Sequence, residues 1–185
     1  DLSKLIHVCE EDKPNGVGDA KGSLSCSWIK SQSKLKNNGK LDILRKKLNT
    51  FFKLRCAHIP SSDRMWSTFK SGEKHLRAGG FIKSFVAFNC RAVNGLRNKQ
   101  ALAYLVNIFV NPNLKRYLYE NNVTINDDGY ALHTMIQWIW RSAIRDGKEI
   151  WIYVPSKRMR TLLQNWIQEV SSDNANEHHA NTLDA

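Results

Sequence analysis

The sequence predicts an α/β domain, with helices layered on a mainly parallel sheet. Two observations carry that expectation. Strand-like and helix-like segments alternate along the chain, and the connections in its C-terminal half are short. Alternation of this kind favours parallel strands joined by right-handed crossovers. The chain has 185 residues, 42% of them hydrophobic, enough for one domain with a sizeable core.

Leu5-Ile-His-Val-Cys9 reads as a short strand, and 10–22 as a loop punctuated by Pro14, Gly16, Gly18 and Gly22. Leu41, Leu44, Leu48, Phe51 and Phe52 recur at helical spacing, so 41–54 is an amphipathic helix. Pro60 breaks the chain. Residues 64–69 read as a strand and 71–77 as a short helix. Phe81-Ile-Lys-Ser-Phe-Val-Ala-Phe88 reads as a third strand because it is rich in aromatic and β-branched residues. Residues 100–110 are apolar and read as helix, as do 113–121.

Asn126-Asp127-Asp128 is a helix start, with carboxylates at the positive end of the dipole. The helix is expected to run from Tyr130 to Arg145 and to stop at Gly147. Lys148-Glu-Ile-Trp-Ile-Tyr-Val154 is the best strand in the chain, and Ser156 caps a final helix to about Val170. The expected organisation is a basic N-terminal segment over 1–60, an α/β lobe over 61–171 and a disordered tail over 172–185.

Net charge is +11 and the pI near 9.6, which favours a polyanionic partner, nucleic acid above all. Between Lys30 and Arg55 nine cations face one acid, Asp42. Lys34, Lys36, Lys40, Arg45, Lys46 and Lys47 are the candidate phosphate contacts there. Lys157 and Arg158, at the start of the last helix, are two more. Cys9, Cys26, Cys56 and Cys90 form no C-x-x-C pair, and no His lies at zinc-finger spacing from them. They read as reduced intracellular thiols. No apolar run is long enough to span a membrane, and the N-terminus lacks the layout of a signal peptide. A cytoplasmic protein is therefore expected, and the start at Asp1 fits a piece of something longer.

Gln137, Arg141 and Arg145 are spaced four and four. On a helix each step of four advances about 400°, so the three would form one drifting row. Two guanidiniums and an amide aimed together suit a multiply charged anion such as a nucleotide triphosphate. Phe88-Asn89-Cys-Arg91-Ala-Val-Asn94 puts small and amide residues directly after an expected strand, as a loop approaching a ligand would. There is no G-x-x-x-x-G-K-[ST] loop, no G-x-S-x-G and no H-E-x-x-H.

Gln137-x-x-x-Arg141-x-x-x-Arg145, followed by a strand and a last helix, resembles motif VI of superfamily 2 helicases. The 81–94 segment resembles motif V. Together they resemble the second RecA-like lobe of a helicase-like ATPase of phage or mobile-element type, over about 65–170. The chain departs from the family pattern in spacing its arginines by four and in having Trp140 where glycine is usual. The resemblance implies a three-layer RecA-like lobe in which Gln137 senses the nucleotide, Arg141 is the arginine finger and Arg145 assists. Asn89, Arg91 and Asn94 would link the nucleotide to the nucleic-acid backbone. ATP and Mg²⁺ would be held only with a first lobe, in the same or another chain. The alternative is a basic nucleic-acid-binding module with no enzymatic role.

Overall fold

The computed structural model of the protein describes residues 1–9, 16–77, 81–90 and 95–183, with side chains as far as 172. Four strands form one sheet: β1 (Ile6–Cys9), β2 (Arg64–Ser67), β3 (Ala101–Tyr104) and β4 (Ile150–Tyr153). Their order is β1-β4-β3-β2, and every neighbouring pair is parallel. The helices are α1 (Cys26–Gln32), α2 (Lys40–Thr50), α3 (Lys70–Leu76), α4 (Pro112–Glu120), α5 (Asp127–Ile139) and α6 (Lys157–Leu183). The fold class is thus the expected α/β one. None of the described helices is long and apolar enough to cross a membrane.

Alternation along each strand divides the core into two. On one face Met65, Leu102, Ile150 and Ile152 pack under Met135 and Trp138 of α5 and Met159 and Leu163 of α6. On the other, Trp66, Ala101, Ala103 and Tyr153 pack under Ile29 of α1, Leu44 and Leu48 of α2 and Leu76 of α3. The two alanines leave room for rings, and Phe51 stacks on Tyr153 at 5.5 Å. Each such large apolar side chain withdrawn from water contributes about 1.5–3 kcal/mol. The segment 1–60 therefore supplies both an edge strand, β1, and one helical layer, α1 and α2. The tail expected over 172–185 falls almost wholly beyond the residues with described side chains. The backbone of α6 runs to Leu183.

Three expectations are corrected. The 100–110 run is not helical: Ala101–Tyr104 is a fully buried strand hydrogen-bonded on both sides, and the chain continues extended. A short apolar run with both faces covered has no polar side to reveal its period, so helix and central strand look alike. Residues 81–88 are not a regular strand. They form a 3-10 turn (Ile82–Ser84) and a single bridge, Phe85 to Trp66. The aromatic content there serves packing: Trp66 meets Phe81 and Phe85 edge-on and donates its indole N–H to the Phe81 carbonyl at 2.9 Å.

The third correction concerns the helix drawn from Tyr130 to Arg145, since α5 ends at Ile139. Ser142 is extended, its hydroxyl donates to the Ile139 carbonyl at 2.6 Å, and the Ala143 N–H donates to the Lys99 carbonyl at 3.0 Å. A tertiary hydrogen bond thus takes the donor that continued helix would have used. A 3-10 turn (Ala143–Asp146) follows, closed by Gly147 at φ +70°.

The chain leaving β1 meets the chain leaving β4 at Gly18. The Gly18 carbonyl accepts from the Lys157 N–H at 3.0 Å, and a Cβ there would lie 1.8 Å from the Pro155 carbonyl oxygen. Only glycine allows that approach. Gly18→Ala is expected to cost about 2–3 kcal/mol, read as a lower thermal midpoint. Gly22→Ala, where a Cβ meets nothing within 4 Å, should leave the midpoint nearly unchanged.

Candidate nucleic-acid interface

Residues 26–77 hold thirteen Lys or Arg and three Asp or Glu, a net of +10 out of the chain's +11. These residues build the α1–α3 layer with the π-helical turn after α2 (Phe51–Arg55) and strand β2, so the charge is confined mainly to one face of the sandwich. Lys34, Lys36, Lys40 and Lys46 are exposed; Arg45 and Lys47 are half-buried. Arg45 and Lys46 both pair with Asp42. Hydrogen bonds from Lys46 and then Arg45 hold the Asp42 carboxyl below its ordinary range.

A groove of about 540 Å³ lies between the end of α1 and α3. It is lined by Ser33, Lys34, Lys70, Ser71, Glu73, Lys74, His75 and Arg77. Glu73 is buried and is bridged by Lys70 at 2.7 Å and by Arg77. Burial pushes its carboxyl up, but the hydrogen bonds from Lys70 and Arg77 outweigh burial and hold it below the usual range. Burial, with Lys74 beside it, lowers the His75 imidazole below its ordinary range.

A second cleft, of about 480 Å³, opens at the carboxyl end of β2. Its lining includes Lys30, Phe69, Lys70, Ser71, Phe85, Phe88 and Asn89. Phe69 and Phe88 meet edge-on at 5.2 Å, and the Lys70 ammonium sits 5.9 Å from the Phe85 ring centre. Asn89 stands exposed in this cleft. Arg91 and Asn94 lie outside the described residues. Phe69, Lys70 and Lys74 were not among the residues singled out from sequence. The available signal was Phe69-Lys70-Ser71 directly after a strand.

Gln137, Arg141 and Arg145 do not form one row. Gln137 is exposed on α5, with its amide 2.8 Å from the His133 Nε2. Arg141 lies past the helix end, and its Nε is buried with no hydrogen-bond partner. Arg145 is exposed in the 3-10 turn that leads into β4. That turn is tied to the approaches of β3 by the Ala143–Lys99 bond and an Arg97–Asp146 ion pair. Arg141 and Arg145 thus stand at the amino end of the sheet. Ligand crevices of open parallel sheets lie at the carboxyl end.

Lys157 and Arg158 do lie at the carboxyl end, on a wide cleft of about 760 Å³ shared with Asp19, Lys21, Asp127 and Asp128. Arg158 is occupied. Its guanidinium donates to Asn107 Oδ1 and the Ile108 carbonyl at 2.8 Å each, and to Asp128 at 2.6 Å, and it lies 4.5 Å from the Phe109 ring centre. Asp127 is held low first by its hydrogen bond from Lys115. All four cysteines are free; burial pushes the Cys56 thiol up to about 12, far from a reactive thiolate.

A parallel sheet between two helical layers, with clefts at its carboxyl end, defines a Rossmann-like α/β domain. Residues 1–167 match the YonV C-terminal Rossmann-like domain family, and the chain belongs to that family. It is 42% identical over 167 residues to the SPbeta prophage-derived uncharacterized protein YonV of Bacillus subtilis (strain 168). The match covers 90% of this chain but only 39% of that relative's length. No solved structure matches.

Replacing Arg158 by Met strips the carboxyl-end network of its donors and is expected to cost about 2–4 kcal/mol in denaturant unfolding. Acid should act through the carboxylates held low. Asp127 is deprotonated in the fold at a pH where the unfolded chain has begun to take up protons, so its contribution is complete at neutral pH. It is lost as pH falls below about 4, the ordinary carboxylate range. Asp127→Asn should therefore flatten the acid limb of a stability–pH curve while lowering the neutral plateau.

Proposed function

We propose that this domain is a non-enzymatic nucleic-acid-binding module that engages phosphates through the α1–α3 layer. The observation that carries the reading is the segregation of +10 of the net charge into residues 26–77. Fields from clustered Lys and Arg add over a polyanion, whereas charge scattered over both faces would partly be spent on solvation alone. Lys34, Lys36, Lys40 and Lys46 have exposed ammoniums suited to point contacts with phosphate. Lys40 directly follows Gly39, whose φ of +50° turns the chain sharply into α2, and Lys36 stands three residues before it. Lys157 and Arg158 contribute less to this reading, because Arg158 is held by its own protein.

The helicase-lobe reading would give Arg141 to an ATP·Mg²⁺ cleft closed by a first RecA-like lobe. The position of Arg141 and Arg145 at the amino end, and the buried Arg141 Nε, favour the binding module instead.

Titration of the protein with nucleic acid at several salt concentrations tests the reading. The affinity should fall steeply with salt, with a slope of about 0.7–0.9 per phosphate neutralised. Lys34→Gln and Lys46→Gln should each reduce that slope by roughly one. Arg145→Gln should leave it unchanged. Binding that is absent at low salt, or that responds to Arg145 and not to the lysines, would defeat the proposal.

A further inference from the structure

We infer that the partner is a single-stranded nucleic acid, with one base seated in the cleft at the carboxyl end of β2 and its phosphates running along the α1–α3 groove. This rests on the phosphate-binding reading above and adds strandedness and a base site to it. The two clefts adjoin, because Lys70 and Ser71 line both. One of them is cationic: Lys34, Lys70, Lys74 and Arg77 against Glu73. The other is aromatic, with Phe69, Phe85 and Phe88 half-buried around about 480 Å³, a volume within the roughly 300–1,000 Å³ of small-ligand pockets.

A charged track leading to aromatic rings is the arrangement that holds single strands, since every base offers a face to stack. Duplex bases are stacked on one another and cannot enter such a cleft without being flipped out. Lys30, which is exposed and lines the same cleft, can neutralise a flanking phosphate. Ser71 lines both clefts, and its hydroxyl has no hydrogen-bond partner within the protein. Asn89 carries both a donor and an acceptor, as reading a base edge requires.

The test is fluorescence anisotropy with a short labelled oligothymidylate and with a duplex of equal length, at low salt. The single strand should bind ~10-fold or more tightly than the duplex. Phe88→Leu, which keeps the apolar bulk but removes the ring, and Asn89→Ala, at an exposed position, should each weaken single-strand binding by ~5-fold or more. Duplex binding should not change, and unaltered thermal midpoints would show that both variants are folded. Equal affinity for the two forms, with neither substitution affecting the single strand, overturns the base site and leaves the phosphate reading standing. No salt-dependent binding to either form overturns both.

Discussion

All four strands run the same way, and both faces of the sheet are covered. This arrangement forces each outgoing connection to one end of the sheet, where four chain segments compete for the same space. Gly18 is there because its backbone lies against the Pro155–Ser156 peptide. Arg158 is there because the Ile108 and Asp127 carbonyls both turn toward it, and a planar guanidinium supplies several donors at once. The aromatic cleft opens at the same end, beside β2, which is an edge strand among the described residues and is met there by a bridge from Phe85 to Trp66.

The cationic layer is tolerable because its acids are placed within it. Asp42 takes Arg45 and Lys46, and Glu73 takes Lys70 and Arg77, so each carboxylate relieves repulsion between two neighbouring cations. The solvent-facing Asp42 pairs add little stability by themselves. Their effect is to let a dense positive surface coexist with tightly packed helices. The remaining charge of the molecule nearly cancels, with fifteen cations against fourteen acids outside residues 26–77. The asymmetry is a property of the layer and not of composition alone.

Much of the architecture was legible in the residues. The strand at 150–153, the Asn126 and Ser156 caps and the amphipathic α2 all follow from local chemistry: side chains that accept helix-end donors, and apolar positions at the helical period. The basic block was legible for the same reason, since nine of its cations are close in sequence. The cleft was not. Lys30 and Phe88 are brought together only when α1 and the segment after β2 pack on the same sheet end, and spacing along the chain carries no trace of that. The Gln137–Arg145 row failed for a complementary reason. Its spacing was helical, but the Ala143 N–H found a carbonyl in another part of the chain.

By itself the sequence determined the class of fold, most of the helix starts and the sign of the molecule's own net charge, because capping, periodicity and net charge are local or additive. Tertiary structure alone decided which apolar run became the central strand, which end of the sheet each arginine occupies and which basic residues share a groove. Those are matters of long-range hydrogen bonding and packing. A buried strand satisfies its backbone with neighbours distant in sequence, and a cleft exists only between elements that have already met.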